Sequence, residues 1–282
     1  MAITQVGVVG CGLMGSGIAE VAARSGYATV VREVSAELVT KGRGRIEKST
    51  ATAVEKGKLT AAQRQEILGR MRFTTAVEDL AGCDVVVEAA TENPALKKEL
   101  FAALDRACKP ETILASNTSS IPIIELAAVT RRPEQVVGLH FFNPVPVMKL
   151  VEVVKTIRVG EAAIATARAF AESLGKRPIL AKDRAGFVVN VLLVPYLLEA
   201  VRLVEQGVAS PEDIDEGMRL GCGYPMGPLQ LLDFVGIDTT FYIAEILFEE
   251  FKNPHYAPPT LLRQMTIAGL HGRKSGKGFY SY

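Results

Sequence analysis

The sequence predicts an α/β protein, a mostly parallel sheet interrupted by a helical hairpin and followed by an all-α C-terminal domain. Three observations carry this reading. Apolar strand-like runs alternate with amphipathic helical stretches as far as about Lys182, and the first run closes on a glycine-rich turn that opens a helix. Beyond Lys182 strand patterns stop and helical periodicity takes over, which places a first domain at residues 1–183 and a second at 184–282. A chain of 282 residues, 48% hydrophobic and 22% charged, suffices for two modest domains.

The elements follow in order. Gln5–Val9 reads as a short buried strand, Gly10-Cys11-Gly12-Leu13-Met14-Gly15 as its turn, and Ser16–Arg24 as the helix that Gly26 stops. In this strand–GxGxxG–helix order the first glycine allows a tight turn, the second lets the backbone approach a pyrophosphate, and the third lets helix pack close on strand. The sheet is therefore expected to be of the Rossmann type. A second strand, Ala28–Arg32, ends in Glu33, where a carboxylate accepts hydrogen bonds from an adenosine ribose and repels a 2′-phosphate. This favours NAD, while the neighbouring Arg32 could receive the extra phosphate and leaves NADP open.

A helical pair, roughly Ser35–Lys56 and Thr60–Gly69 with Gly57 at the turn, then replaces the usual single crossover helix. From Ser35 to Arg70 it carries eight Lys or Arg against four Glu, a net of +4 in a chain of net charge +1. A solvated face with ion pairs accounts for most of these side chains, and a landing site for a polyanionic small molecule is the functional alternative. Alternation resumes with Cys83–Ala89, a helix Asn93–Cys108 started by Pro94, and Thr112–Ala115. That strand runs into Ser116-Asn-Thr-Ser119-Ser120, whose hydroxyls can face a ligand, or cap the helix before Ile121-Pro122.

Val136–Leu139 reads as a buried strand ending at His140, one of three histidines, in Gly138-Leu-His-Phe-Phe-Asn143-Pro. The alternating Lys149–Val154 follows, so that strand, turn and strand bring Glu152 back beside His140. A carboxylate there fixes the imidazole tautomer and raises its basicity; taken alone, a core histidine and an unrelated glutamate are an equal alternative. In the second domain, Arg184–Gln206 is apolar nearly all round, with Pro195 expected to kink it. Its buried Asn190 bonds either neighbouring backbone or a ligand. Gly227–Glu249 reads as one further long helix. So much apolar helix in about 100 residues points to a partner subunit, and a homodimer through this domain is expected.

Cys11, Cys83, Cys108 and Cys222 form no metal or disulfide spacing, which suits a reducing cytoplasm and leaves no metal site expected. Near-neutral charge argues against nucleic acid. The start Met-Ala-Ile-Thr-Gln enters a strand directly, and the apolar stretch Ala185–Leu198 is broken by Asn190 and Pro195, so neither export nor a membrane span is expected.

Over essentially its full length the chain resembles the short-chain 3-hydroxyacyl-CoA dehydrogenases, most closely the stand-alone bacterial 3-hydroxybutyryl-CoA dehydrogenases. The matching segments are Gly10–Gly15, Ser116–Ser120, Gly138–Pro144, Glu152, Gly186-Phe-Val-Val-Asn190, Pro225-Met-Gly-Pro228 and Gly272–Tyr280. The resemblance implies His140 as the acid/base, Glu152 as its partner, and Ser119 and Asn190 as substrate contacts. It also implies cofactor contacts at the glycine turn, Glu33, Glu92, Lys97, Ser119, Asn143 and Lys274, and CoA contacts at Ser49, Lys56 and Ser119. The activity so implied is NAD(P)-dependent oxidation of a short-chain 3-hydroxyacyl-CoA to the 3-ketoacyl-CoA. A same-fold dehydrogenase of a free hydroxy or sugar acid, as in the gulonate dehydrogenase and lens crystallin branch, would keep His140 and Glu152 but not need Lys56. A non-enzymatic nucleotide-binding protein would keep only the glycine turn.

Overall fold

Continuous β-branched runs buried on both faces are what a parallel sheet requires, and the first half of the chain supplies them. In a computed structural model, which describes residues 2–282, the chain divides into two compact units, one ending at Asp183 and one running Arg184–Tyr282. Among the described residues the first unit holds eight strands: β1 (Gln5–Val9), β2 (Ala28–Arg32), β3 (Met71–Thr74), β4 (Val85–Glu88), β5 (Ile113–Ser116), β6 (Val136–Phe141), β7 (Leu150–Lys155) and β8 (Arg177–Lys182). They form one sheet in the order β3-β2-β1-β4-β5-β6-β7-β8. Every neighbouring pair is parallel except β6 and β7. The reversal in strand order lies between β1 and β4, where an open α/β sheet places ligands beyond the carboxyl ends of its strands.

Helices α1 (Leu13–Arg24), α2 (Ala36–Glu55), α3 (Ala61–Gly69), α4 (Pro94–Ala107), α5 (Ile123–Ala127) and α6 (Glu161–Ser173) complete this unit. The hairpin of α2 and α3 has clear local causes. Ser35 caps α2 by accepting from the Leu38 amide at 3.3 Å, and Thr60 and Gln63 form a reciprocal capping box at the start of α3. Between the two helices Gly57 takes a φ of +66°, which ends α2 cleanly.

The second unit is helical: α7 (Val189–Glu205), α8 (Pro211–Cys222), α9 (Pro228–Val235), α10 (Ile237–Phe251) and α11 (Thr260–Ile267). Two expectations need correction. The single helix expected over Gly227–Glu249 is two helices, because Gly236 adopts φ 109° and ψ 124° and breaks the hydrogen-bond ladder between α9 and α10. The helix expected from Arg184 begins at Val189, after a turn in which Gly186 and Phe187 both have positive φ, and it continues through the buried Pro195. Two buried carboxylates tie this unit together. Asp215 accepts from the Leu229 and Gln230 amides at the start of α9, at 2.7 and 2.9 Å, and from the Tyr280 hydroxyl at 2.8 Å. Asp233 accepts from the amides of Phe279 and Tyr280 at 3.0 and 2.9 Å, which fastens the C-terminal segment. No helix among the described residues is long and apolar enough to cross a membrane.

Asp84 plays the corresponding part in the sheet. It accepts from the Thr4 and Gln5 amides at 2.7 and 3.0 Å and from Lys109 Nζ at 2.5 Å, so it joins the starts of β1 and β4 to the segment after α4. Burial alone would raise its pKa, but Lys109 and the amide donors outweigh that and hold it down to about 2. A depressed carboxyl pKa contributes stability that is present above the unfolded value, near 4, and is lost as pH falls through the folded value. Asp84→Asn should therefore melt lower than the parent at neutral pH and lose stability less steeply between about pH 4 and 2. Equal slopes for the two proteins in thermal melts across that window would refute this assignment.

Candidate active site

The glycine turn is built for close approach. Gly10 has φ +89°, and a Cβ there would lie 2.7 Å from Ala89 O; a Cβ on Gly15 would lie 1.8 Å from Gly10 O. By contrast, a Cβ on Gly12 would meet nothing within 4 Å, and no side chain caps the N-terminus of α1. Open space at Gly12 in front of unpaired helix amides and a positive dipole end fits a dinucleotide pyrophosphate. Leu13 is exposed beside this turn, and Met14 packs on the core. The Cys11 thiol is buried against Gly42 of α2, where a Cβ would come within 2.4 Å of Sγ. Burial, and then the Glu33 carboxylate, push its pKa up to about 12, so it behaves as a small apolar side chain rather than a reactive thiol.

Glu33 stands at the end of β2 with Oε1 accepting from the Cys11 amide at 2.5 Å and Oε2 from the Val34 amide at 3.1 Å. It is held at the place where a ribose hydroxyl donor would be received. The neighbouring Arg32 turns its Nε to Thr75 O, 3.2 Å away on the β3 side. A cation, Arg45 of α2, donates to Cys11 O at 3.3 Å.

At the end of β4 the buried Glu88 gathers three donors: Lys97 Nζ at 2.5 Å, Ser116 Oγ at 2.6 Å and the Ala90 amide at 2.7 Å. Lys97 also faces Glu92 at 3.2 Å, and its side chain is 1% exposed. Glu92 in turn organises the polar loop after β5, accepting from the Ser119 amide at 3.1 Å, from Ser120 Oγ at 3.0 Å and from the Thr118 hydroxyl. Its partial burial raises the carboxyl pKa, but the Lys97 charge and these hydroxyls prevail and hold it below the ordinary value. The capping role allowed for Ser119 or Ser120 is corrected here: Asp183 takes it, accepting from the Ile123 and Ile124 amides at 2.8 Å each.

His140 lies inside β6 rather than at its end. It stands directly opposite Glu152 in the antiparallel register with β7, and its Nδ1 is 2.6 Å from Glu152 Oε2. Both residues are buried, at 6% and 0% exposure. A spacing of twelve that says little in one dimension is thus one cross-strand pair. The chain between the two strands carries the exposed Asn143, and Phe141 N donates to Asn117 Oδ1 at 2.9 Å, fastening β6 to the polar loop.

A cavity of about 460 Å³ opens beside this chain, lined on one side by Asn143–Val147 and on the other by Arg45, Lys48, Ser49, Lys56 and Lys58 of the hairpin. Other hairpin cations form the solvated pairs that composition favours: Lys41 with Glu37, Arg43 with Glu47, and Arg70 with Glu66. The ion-paired account of the basic hairpin therefore holds for these side chains, and Arg45, Lys48, Lys56 and Lys58 face the cavity instead.

Asn190 and Lys274 belong to the second unit. Asn190 is 9% exposed in the first turn of α7, and Lys274 Nζ pairs with Asp238 at 2.6 Å. Sequence reading did not single out Glu88, Asn117 or the contact made by Arg45. Glu88 had a signal, a lone acid closing the apolar run Val85–Val87; the other two are visible only in three dimensions. Among the described residues no three His, Cys, Asp or Glu side chains are grouped to hold a metal ion.

Comparison with known proteins fits this geometry. Residues 5–184 match the 3-hydroxyacyl-CoA dehydrogenase NAD binding domain, and residues 186–282 match the 3-hydroxyacyl-CoA dehydrogenase C-terminal domain. A 3-hydroxybutyryl-CoA dehydrogenase of Mycobacterium tuberculosis is 54% identical, over 100% of this chain and 99% of its own. The human mitochondrial hydroxyacyl-coenzyme A dehydrogenase is 44% identical over 99% of this chain and 91% of its own. The crystal structure of (S)-3-hydroxybutyryl-CoA dehydrogenase from Ralstonia eutropha superposes with a TM-score of 0.95 at 45% identity, covering 100% of this chain and 99% of that one. With an NAD binding domain in front and the matching C-terminal domain behind it, the chain belongs to the 3-hydroxyacyl-CoA dehydrogenase family.

Proposed function

We propose that this protein catalyses the reversible NAD-dependent oxidation of short-chain 3-hydroxyacyl-CoA, foremost the four-carbon 3-hydroxybutyryl-CoA, to the 3-ketoacyl-CoA. The observation that carries this is the buried pair of His140 and Glu152 in the sheet that also bears the dinucleotide turn. NAD supplies the hydride acceptor at its nicotinamide ring. Glu33 and the glycine turn bind its adenosine and pyrophosphate, with Asn143, Glu92, Lys97 and Lys274 as further contacts. Glu152, bonded at Nδ1, selects the tautomer in which Nε2 of His140 is the basic nitrogen. As the C3–H bond breaks and its electron pair leaves as hydride, His140 takes the 3-hydroxyl proton and the C3–O bond becomes a carbonyl. Glu152 then stabilises the imidazolium. In reduction the same imidazolium returns its proton to the ketone oxygen. Ser119 and Asn190 serve as hydrogen-bonding partners of that oxygen.

Lys56 and Ser49 bind the CoA phosphates, an assignment supported by the surplus of cations along the cavity. A homodimer through the second unit is supported by exposed Leu192, Phe234, Tyr242 and Ile246, which a monomer would leave in water. The buried unpaired thiols of Cys11, Cys83 and Cys108 agree with a reducing cytoplasmic setting.

His140→Gln should cut turnover by about 10²- to 10⁴-fold, the usual share of acid–base help, and leave NADH affinity within a factor of about two. Near-parental turnover would remove His140 from the chemistry. Acetoacetyl-CoA should be reduced far more efficiently than free acetoacetate, and Lys56→Ala should narrow the gap by raising KM for the thioester alone; equal efficiency for the two substrates would favour the free-acid reading. Sedimentation should give about twice the 30.3 kDa chain mass, and a monomer at micromolar concentration would refute the dimer.

A further inference from the structure

The proposed chemistry gives no role to the buried Lys176, whose ammonium bonds backbone carbonyls rather than a carboxylate. Lys176, between α6 and β8, is 8% exposed, and its Nζ donates to Val145 O at 2.5 Å and to Met148 O at 2.8 Å. Both carbonyls belong to residues 142–149, which connect β6 to β7 and so connect His140 to Glu152. The same segment supplies one wall of the cavity through Asn143–Val147.

The segment is tied at its two ends, by the Phe142 ring against the His140 ring with centroids 4.6 Å apart and by the Arg177 amide donating to Lys149 O at 2.7 Å, and more sparsely between them. Its own backbone bonds run from the Val147 and Met148 amides to the single carbonyl of Pro144, at 2.9 Å each. Val145 is its buried apolar anchor, seated against Gly17 of α1, where a Cβ would lie 2.8 Å from Val145 Cβ. Val147 and Met148, by contrast, are 63% and 40% exposed. Burial, and the nearby Arg24 cation, both hold the Lys176 pKa below that of an ordinary lysine. Arg24 itself is ion-paired with Glu20, and both line the cavity. A well-packed neutral side chain would avoid the cost of desolvating an ammonium. What the ammonium adds is two charge-assisted bonds to carbonyls of a wall whose middle residues otherwise rest on Val145 and Pro146 against Gly17 and on the two bonds to Pro144 O.

We infer that Lys176 is a positioning residue, which fixes the Asn143–Met148 segment as a rigid wall of the cavity and so sets the affinity for the acyl-CoA rather than the rate of hydride transfer. This rests on the acyl-CoA reading above. A wall held in one conformation binds without first being ordered; a loosened wall lowers the fraction of molecules competent to bind.

The test compares Lys176→Met, Lys176→Arg and the parent, with acetoacetyl-CoA and NADH well below the melting temperature of each. Lys176→Met should raise KM for acetoacetyl-CoA by about tenfold or more with kcat within about threefold, and Lys176→Arg, which keeps the donors and the charge, should recover most of the loss. Amide hydrogen exchange should quicken at Val147 and Met148 by a similar factor, while Val6 and Val8 of β1 exchange as in the parent. An unchanged KM, a fall in kcat alone, or faster exchange throughout the sheet would each overturn the proposal, the last by showing a general structural role. Should Lys176→Met not fold, Lys176→Gln supports the same two readouts. If the parent itself fails to reduce acetoacetyl-CoA, the substrate reading fails, and the exchange measurement still decides whether Lys176 holds the wall.

Discussion

The antiparallel register of β6 and β7 is the constraint on which the proposed chemistry depends. In a sheet whose other neighbours are all parallel, this one pair sets His140 opposite Glu152. Apolar pairs hold the register: Leu139 faces Val153 and Phe141 faces Val151, all four buried. Because strand side chains alternate, a slip of one residue would turn Glu152 to the other face and break both apolar pairs together. Gly138 adds a further restraint, since a Cβ there would lie 2.6 Å from Val154 Cβ, which only this close approach of the strands explains. The placing of His140 against Glu152 therefore comes from core packing between the two strands.

Elsewhere in the first unit charges of opposite sign are kept apart. Carboxylates stand at the ends of the two strands that flank β1, Glu33 after β2 and Glu88 in β4, and the second is paired with Lys97 within the protein. Cations line the cavity from the hairpin side. A net charge of +1 conceals this division. A nucleotide cofactor with its ribose toward an acid and a phosphate-bearing thioester against a basic wall are complementary to such a field, which a uniformly charged surface could not distinguish.

Most of the frame was legible in the sequence because local patterns state it: the glycine turn, the capped hairpin, the apolar central strands and the loss of alternation after Lys182. The elements not singled out have weak local patterns. β3 is a four-residue edge strand with Arg72 exposed, and β8 exposes Arg177, Ile179, Leu180 and Lys182, so neither reads as the buried apolar run of a central strand. Gly236 ended a helix where an uninterrupted apolar stripe predicted continuation, since periodicity reports the buried face and not the backbone angle at one glycine. The site was legible as residue types, and its pairing was not: twelve intervening residues become a direct contact only once β6 and β7 have paired. Arg32 shows the same limit, since its position beside Glu33 leaves both cofactors open in one dimension and the bond of its Nε to Thr75 O is visible only in three.

A double-mutant cycle on turnover tests most directly whether His140 and Glu152 act as one unit. Initial rates of acetoacetyl-CoA reduction would be compared for the parent, Glu152→Gln, His140→Gln and the double variant. If Glu152 acts through the imidazole, Glu152→Gln should be costly in the parent and nearly without effect once His140 is gone, a coupling energy close to the whole single-variant loss. Two losses that simply multiply would contradict this and leave Glu152 as a buried structural acid.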